Sequence, residues 1–294
     1  MADIAVLDTR EKVFAGIMLT SLAYFLFSTQ DAVIKLLVAG ISVWQIMAFR
    51  SAIILIGAGC VGGPKLFVEA ARSPILKAMV LRSLLTMVAW LCFYNAARYL
   101  QLAELTTIYF AAPIIVTVLS IVLLKETVPP SRWVAVLIGF AGVFVACDPR
   151  HMGFSPPVLM VLAAACFWAL TIVLIRKIAL LERSIIQLVL NNAFFLIFSA
   201  LPLFWVWQTP NGWEWVLLLS VGTLGGVAQF LLFEGMRRAP VSIIAPFEYT
   251  ALLWAFTFGY LIWGDVPRTE VFVGAAIIIS AGLIILAGER WRRA

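Results

Sequence analysis

Charge is scarce in this sequence: Asp, Glu, Lys and Arg make up 12% of 294 residues, and histidine occurs once. With 64% of the chain hydrophobic and a mean hydropathy of +1.06, so little polar surface excludes a soluble globule of this size. The single histidine, His151 in the short stretch Asp148 to Pro156, cannot build a metal site. No HExxH and no glycine-rich phosphate loop following a strand occurs. Catalysis and ATP-driven pumping therefore have no residues to rest on, and neither cofactor nor metal is expected. The four cysteines, Cys60, Cys92, Cys147 and Cys166, show neither paired nor ligand spacing and read as small core residues. Basic residues nowhere cluster beyond a short loop or tail, so the net charge of +6 does not point to nucleic acid.

Long apolar runs are abundant instead. Ten hydrophobic tracts cover approximately residues 13–36, 43–61, 79–97, 104–124, 131–147, 157–178, 185–207, 213–236, 241–263 and 270–288. Each is about long enough to cross a bilayer. Hydrocarbon offers no partner to a backbone N–H or C=O, and tracts of this length without polar alternation suit helices rather than barrel strands. The expected fold is an all-helical membrane bundle. Met1 to Lys12 carries Asp3, Asp8 and Glu11 beside Arg10 and Lys12, with no cleavage-like end to the first tract, so it does not read as a signal peptide.

Positive residues are retained in cytoplasmic loops. With the N-terminus inside, that side receives Arg10, Lys12, Lys65, Arg72, Lys77, Lys125, Arg132, Arg176, Lys177, Arg183, Arg237, Arg238, Arg290, Arg292 and Arg293. The outside receives only Lys35, Arg98, Arg150 and Arg268. Both termini are expected in the cytoplasm, and the basic inner face is expected to meet anionic lipid.

The second five tracts are a faint copy of the first five. Laying Phe93–Gly142 over Leu232–Gly282 puts Tyr94 on Phe233, Ala96 on Gly235, Arg98 on Arg237 and Glu126 on Asp265, and Gly142 on Gly282 after one residue of slippage. Arg98 is expected outside and Arg237 inside, as an odd-numbered unit repeated once requires; inverted repeats of this kind are a transporter signature. The expected organisation is a cytoplasmic segment 1–12, a first five-helix repeat 13–147, a second 157–288, and a basic tail 289–294.

Polar groups inside apolar tracts are costly unless they meet water, a partner or a substrate. In the first tract Ser21, Tyr24, Ser28, Asp31 and Lys35 are spaced by 3, 4, 3 and 4 residues and share one helix face. That face lines a path, or Asp31 and Lys35 simply pair at i, i+4 and anchor the helix. Arg50 and Glu248 fall roughly 10 Å inside their helices and are open to three roles: a structural ion pair, a clamp for carboxylate and amine, or a proton relay. Arg82, near a helix end, is expected to snorkel. Trp205, Trp207, Trp213, Trp215, Trp263 and Trp291 read as interfacial belts, whereas Trp90, Tyr94, Tyr109, Trp168 and Tyr249 lie deeper and suit an aromatic cavity wall. Asn95, Asn191, Asn192, Gln229 and Glu234 supply hydrogen bonds between helices. Gly222, Gly225 and Gly226 allow close approach just before Gln229. Pro113 and Pro246 occupy the corresponding tracts four and nine, where bending and gating motion are expected.

The chain resembles the drug/metabolite transporter superfamily in its EamA-type, ten-helix branch. The resemblance covers nearly the whole length and rests on VLLKETV (Val122–Val128) followed by Gly139 and Gly142, and on APFEYTALLWAFTFGYLIWGD (Ala245–Asp265) followed by Gly274 and Gly282. Asp265 departs from the glutamate usual at that helix end, and Glu248 is an unusual acid in an apolar helix. The resemblance implies transport of metabolites or drugs across a bacterial inner membrane, most often outward, through a central cavity. Amino acids, aromatic and other neutral ones, are the expected cargo, with protons as a possible coupling ion. Tyr24, Ser28, Asp31, Trp90, Tyr94, Tyr109, Trp168, Gln229 and Tyr249 are the candidate cavity residues, and Arg50 and Glu248 the candidate charge pair or coupling groups. Lipophilic-cation efflux, uptake of a nucleoside-like metabolite, and a membrane enzyme or scaffold remain the alternatives.

Overall fold

The computed structural model describes residues 2–124, 130–147, 155–178, 182–238 and 245–291. Lys125–Val128 of the VLLKETV stretch, Arg150, His151, Arg292 and Arg293 lie outside them, as do the side chains of Arg10, Arg132, Arg176, Lys177, Arg237, Pro246, Arg290 and Trp291. All regular structure among the described residues is helical: α1 (Ala2–Leu37), α2 (Val43–Ala71), α3 (Leu76–Ala96), α4 (Leu102–Tyr109), α5 (Ala111–Leu124), α6 (Pro130–Cys147), α7 (Pro156–Ile178), α8 (Ser184–Val206), α9 (Gly212–Arg238), a 3-10 turn Ala245–Tyr249, α10 (Thr250–Trp263) and α11 (Thr269–Trp291).

Six of these helices contain a stretch long and apolar enough to cross a membrane: Glu11–Leu37, Val43–Ala71, Leu76–Ala96, Pro156–Leu174, Ser184–Val206 and Gly212–Leu232. Leu102–Val116, Val136–Cys147 and Thr269–Ala281 are shorter apolar helices. The exterior is oily, with Val61 88% and Phe204 84% exposed, while Gln30, Gln45, Arg50, Arg82 and Asn192 are buried. A polar interior inside an apolar coat is what lipid as solvent selects. Cys147 is buried as expected, but Cys60 and Cys166 are exposed, because a thiol carries too little polarity to be driven off an apolar exterior.

Tracts four and nine are not single helices. The fourth breaks at Phe110, between α4 and α5, and the ninth passes from the 3-10 turn into α10 at Thr250. Pro113, two residues into α5, has no N–H to offer the Tyr109 carbonyl one turn back. Tract two overruns its expected end: Gly63 adopts φ 65°, Pro64 follows, and the helix continues to Ala71. A left-handed φ is tolerated there because glycine has no Cβ.

α1 packs on α9 and α10, α2 on α8 and α9, α3 on α7 and α8, α5 on α7, and α6 on α11. The α6–α11 seam is backbone against backbone, since a methyl group at Gly274 would lie 2.6 Å from the Gly142 carbonyl oxygen and one at Gly142 3.0 Å from the Gly274 oxygen. Gly142 and Gly274 thus face each other across the seam. At one end of the bundle the Gln45 side chain donates to the Gln208 carbonyl (2.8 Å) and accepts from the Gln208 N–H (3.0 Å), and Arg98 donates to the Ile41 carbonyl (3.3 Å).

At the other end Arg183 pairs with Glu69, and the Ser73 hydroxyl donates to Glu182 (2.6 Å). That hydroxyl, with the Arg183 backbone N–H, holds the Glu182 carboxyl below its ordinary range. A carboxylate with a depressed folded-state pKa stabilises above that value and loses the contribution as pH falls through it. Ser73→Ala is accordingly expected to cost under about 1 kcal/mol at neutral pH. The cost should shrink only as pH falls below the ordinary carboxylate range, which thermal melts of both proteins between about pH 7 and 2 would check; a pH-independent difference would refute the assignment.

Candidate functional site

A line of four side chains crosses the space between α1, α2 and α3. Arg50 Nε donates to Gln30 Oε1 (3.4 Å), Gln30 Nε2 donates to the Tyr94 hydroxyl oxygen (3.3 Å), and the Tyr94 hydroxyl donates to Asp31 Oδ1 (3.0 Å). Every proton points the same way, so a guanidinium sits at one end and an acceptor carboxylate at the other, and each link polarises the next. Gly225 of α9 makes room for it: a methyl group there would lie 2.9 Å from Arg50 Nε and 3.1 Å from Gln30 Cδ. The three glycines before Gln229 thus serve different contacts, with Gly222 against Ile53, Gly226 against Ile54, and Gly225 beneath the polar line.

Aromatic rings flank the line. Trp90 stacks on Tyr94, with centroids 5.1 Å apart and planes 12° apart, and Trp168 from α7 meets Trp90 at 6.1 Å. Phe93 joins this wall to Tyr109 at 5.0 Å. At the two helix breaks Phe110 stacks on Tyr249, 5.2 Å and 23°. Glu248, in the 3-10 turn, lies within electrostatic range of Tyr24, Tyr109 and Tyr249.

The candidate residues therefore fall into two neighbouring groups: Asp31, Tyr94, Trp90 and Trp168 with Arg50, and Tyr24, Tyr109 and Tyr249 with Glu248. Arg50 turns to Gln30, and no ion pair joins it to Glu248 among the described residues. Ser28 is buried on the same face of α1. Gln229 stands one turn beyond Gly225 with its Oε1 sealed from solvent and without a hydrogen bond.

Four expectations are decided or corrected here. Lys35 does not pair with Asp31 one turn away; it reaches Asp265 (3.4 Å) and lies over the Trp263 ring (4.6 Å), because Asp31 is already engaged by Tyr94. Trp263 is thus more than an interfacial belt residue, whereas Trp205, Trp207, Trp213 and Trp215 are exposed. Arg82 does not snorkel: it is 8% exposed and turned toward α8. Of the intramembrane amides, Asn191 does bridge helices, accepting from Ser83 (3.4 Å), but Asn95 and Asn192 donate to the carbonyls of Leu91 and Leu188 in their own helices.

Gln30, the hub of the polar line, escaped the sequence reading although it is an amide in mid-tract next to Asp31. Its signal was masked by a helical-face argument that followed the neighbouring residue. Phe110 and the Glu104–Arg268 pair (3.7 Å) gave no signal, since both depend on which helix ends meet.

The comparisons agree with this architecture. The S-adenosylmethionine uptake transporter of Rickettsia felis is 29% identical over 213 residues, 72% of either chain. The riboflavin transporter of Vibrio cholerae is 31% identical over 204 residues, 68% of this chain and 66% of its own. The pseudopaline exporter of Pseudomonas aeruginosa is 24% identical over 278 residues, 91% and 94%. One solved crystal structure shares the fold, with a TM-score of 0.64 over 97% of this chain and 98% of its own at 20% identity. The EamA-like transporter family matches residues 14–147 and again 155–287. An apolar coat, a polar interior and this double match lead to one conclusion: the chain is a multi-pass membrane transporter, not an enzyme, and belongs to the EamA-like transporter family of the drug/metabolite transporter superfamily.

Proposed function

We propose that this chain exports small metabolites with an amino-acid end, aromatic and other neutral amino acids first, across the bacterial inner membrane by alternating access between two inverted halves. The observation that carries the cargo is the polar line from Arg50 to Asp31 beside the Trp90–Tyr94 stack. A zwitterion needs a cation for its carboxylate and a carboxylate for its ammonium, and a ring needs a flat apolar wall. The R. felis relative is named for S-adenosylmethionine, itself a metabolite with an α-amino-acid end and a ring-bearing nucleoside.

The packing supports two related halves. Matching α1 with α7, α2 with α8, α3 with α9, α4–α5 with the 3-10 turn and α10, and α6 with α11 turns the α1–α9 contact into α7–α3. The same matching turns α2–α9 into α8–α3 and α1–α10 into α7–α5, and it carries α2–α8 and α6–α11 onto themselves. The twofold match of the family to residues 14–147 and 155–287 agrees. Arg72, Lys77 and Arg183 favour the cytoplasm for the end that carries Ser73 and Glu182, and so for both termini.

Flux from proteoliposomes holding a panel of labelled amino acids, with and without a pH gradient, tests the reading. Saturable flux of aromatic or neutral amino acids is the expected result, and its response to the gradient separates proton coupling from facilitation. No flux by demonstrably folded protein would overturn the cargo. A second reading, uptake of a nucleoside-like metabolite that carries a positive charge, is favoured by one observation: the acid Glu248 lies within electrostatic range of Tyr24, Tyr109 and Tyr249, and an acid near tyrosine faces suits a cationic group. Competition by S-adenosylmethionine but not by its thioether analogue, whose sulfur is neutral, would select it.

A further inference from the structure

A second buried arginine lies away from the polar line. Arg82 is three turns before Tyr94 on α3, about 18 Å along the helix at 1.5 Å per residue, in the half of the bundle nearer Ser73. It is 8% exposed. Its Nη1 makes two long contacts, with Gln187 Oε1 and Met79 Sδ, both 3.4 Å, and its Nε is sealed from solvent with no partner. Among the described residues no ion pair joins it to a carboxylate. The next polar contacts along α3 are neutral: Ser83 with Asn191, and Thr86 with Thr171 (3.3 Å).

A guanidinium has five N–H donors in a planar fork. In a membrane interior an uncompensated one is expensive. Arg50 shows the usual remedy, since its line of hydrogen bonds ends on Asp31. Arg82 has no such line: among the described residues its guanidinium meets one amide oxygen and one thioether sulfur. A lysine in this position could extend to the membrane surface. Arg82 instead points inward, toward α8, and leaves Nε unused.

We propose that Arg82, held by Gln187, is a carboxylate-binding site in the cytoplasmic half of the bundle, where the acid end of the cargo docks before it reaches Tyr94 and Asp31. This rests on the transport reading above. The guanidinium fork, rather than a point charge, favours the planar two-oxygen geometry of a carboxylate.

The test uses the full-length chain in proteoliposomes with two probes: L-phenylalanine, and its carboxamide, which lacks the negative charge. Arg82→Gln is expected to lower the ratio of phenylalanine to carboxamide flux about tenfold or more, and Arg82→Lys to restore only part of it. A merely structural arginine would depress both probes alike; that outcome, or an unchanged ratio in folded variants, overturns the site. Thermal melting of the purified chain with benzoate gives a reading independent of cargo. Benzoate is expected to stabilise the parent, Arg82→Lys less than the parent, and Arg82→Gln least. No stabilisation of the parent, or full stabilisation of Arg82→Gln, overturns the proposal. A parent that moves neither probe yet is stabilised by benzoate through Arg82 removes the amino-acid cargo and keeps the anion site.

Discussion

Asp31→Asn is expected to cut substrate flux by roughly 10-fold to 100-fold, the worth of one charge-assisted hydrogen bond of about 1.5–3 kcal/mol, while leaving the protein folded. The amide can still accept from the Tyr94 hydroxyl, so the line from Arg50 keeps its hydrogen bonds and loses only the charge at its end. Asp31→Leu removes the acceptor as well. Tyr94 then loses the acceptor for its proton, and Arg50, 6% exposed, loses its compensation; breaking a buried charge network this way costs about 3–5 kcal/mol. Flux and thermal stability measured on both variants separate the two effects. Asp31→Asn with parental flux would remove the carboxylate from the transport site, and Asp31→Leu with parental stability would show that Arg50 does not depend on it.

Gly274→Val should be strongly destabilising. The first added carbon lies 2.6 Å from the Gly142 carbonyl oxygen and 2.9 Å from the Ala146 backbone nitrogen, and neither can move without moving α6. Overpacking a well-fitted interface costs about 1–3 kcal/mol. Contact with two main-chain atoms of α6 puts this case at the upper end. Gly139→Ala is the internal control: its methyl would meet Ile114 Cδ1 at 2.9 Å, the far end of a flexible side chain, and a change of rotamer relieves it. Thermal melts in one detergent should rank Gly274→Val far below Gly139→Ala, and equal loss would contradict the seam.

The helical membrane fold was legible from the tracts because hydrocarbon imposes one rule on every residue of a span. Where that rule relaxes, the reading was less complete. The breaks at Phe110 and Thr250 sit in tracts that look continuous, since the side chains remain apolar while the backbone changes course; Pro113 and Pro246 marked the tracts but not the residues. Depth alone singled out Trp90, Tyr94 and Trp168, whose rings pack together. Partnerships could not. Lys35 with Asp265 and Arg82 with Gln187 join residues 230 and 105 apart in sequence, and helical periodicity speaks only to neighbours within a few turns. Arg82 illustrates the limit: distance from a helix end suggested snorkelling, and only the packing of α3 against α8 decides which way the side chain turns.

The two interrupted helices carry a consequence for how such a protein changes its cargo. Where α4 gives way to α5, and the 3-10 turn to α10, part of the polarity near the centre belongs to peptide groups, which no substitution deletes. Tyr109, Phe110 and Tyr249, by contrast, are ordinary side chains mounted at those interruptions. One scaffold can then be refitted for a different solute by exchanging rings while its electrostatic floor stays in place. Relatives named for S-adenosylmethionine, riboflavin and pseudopaline are the kind of diversity that a backbone-borne floor with replaceable walls would permit.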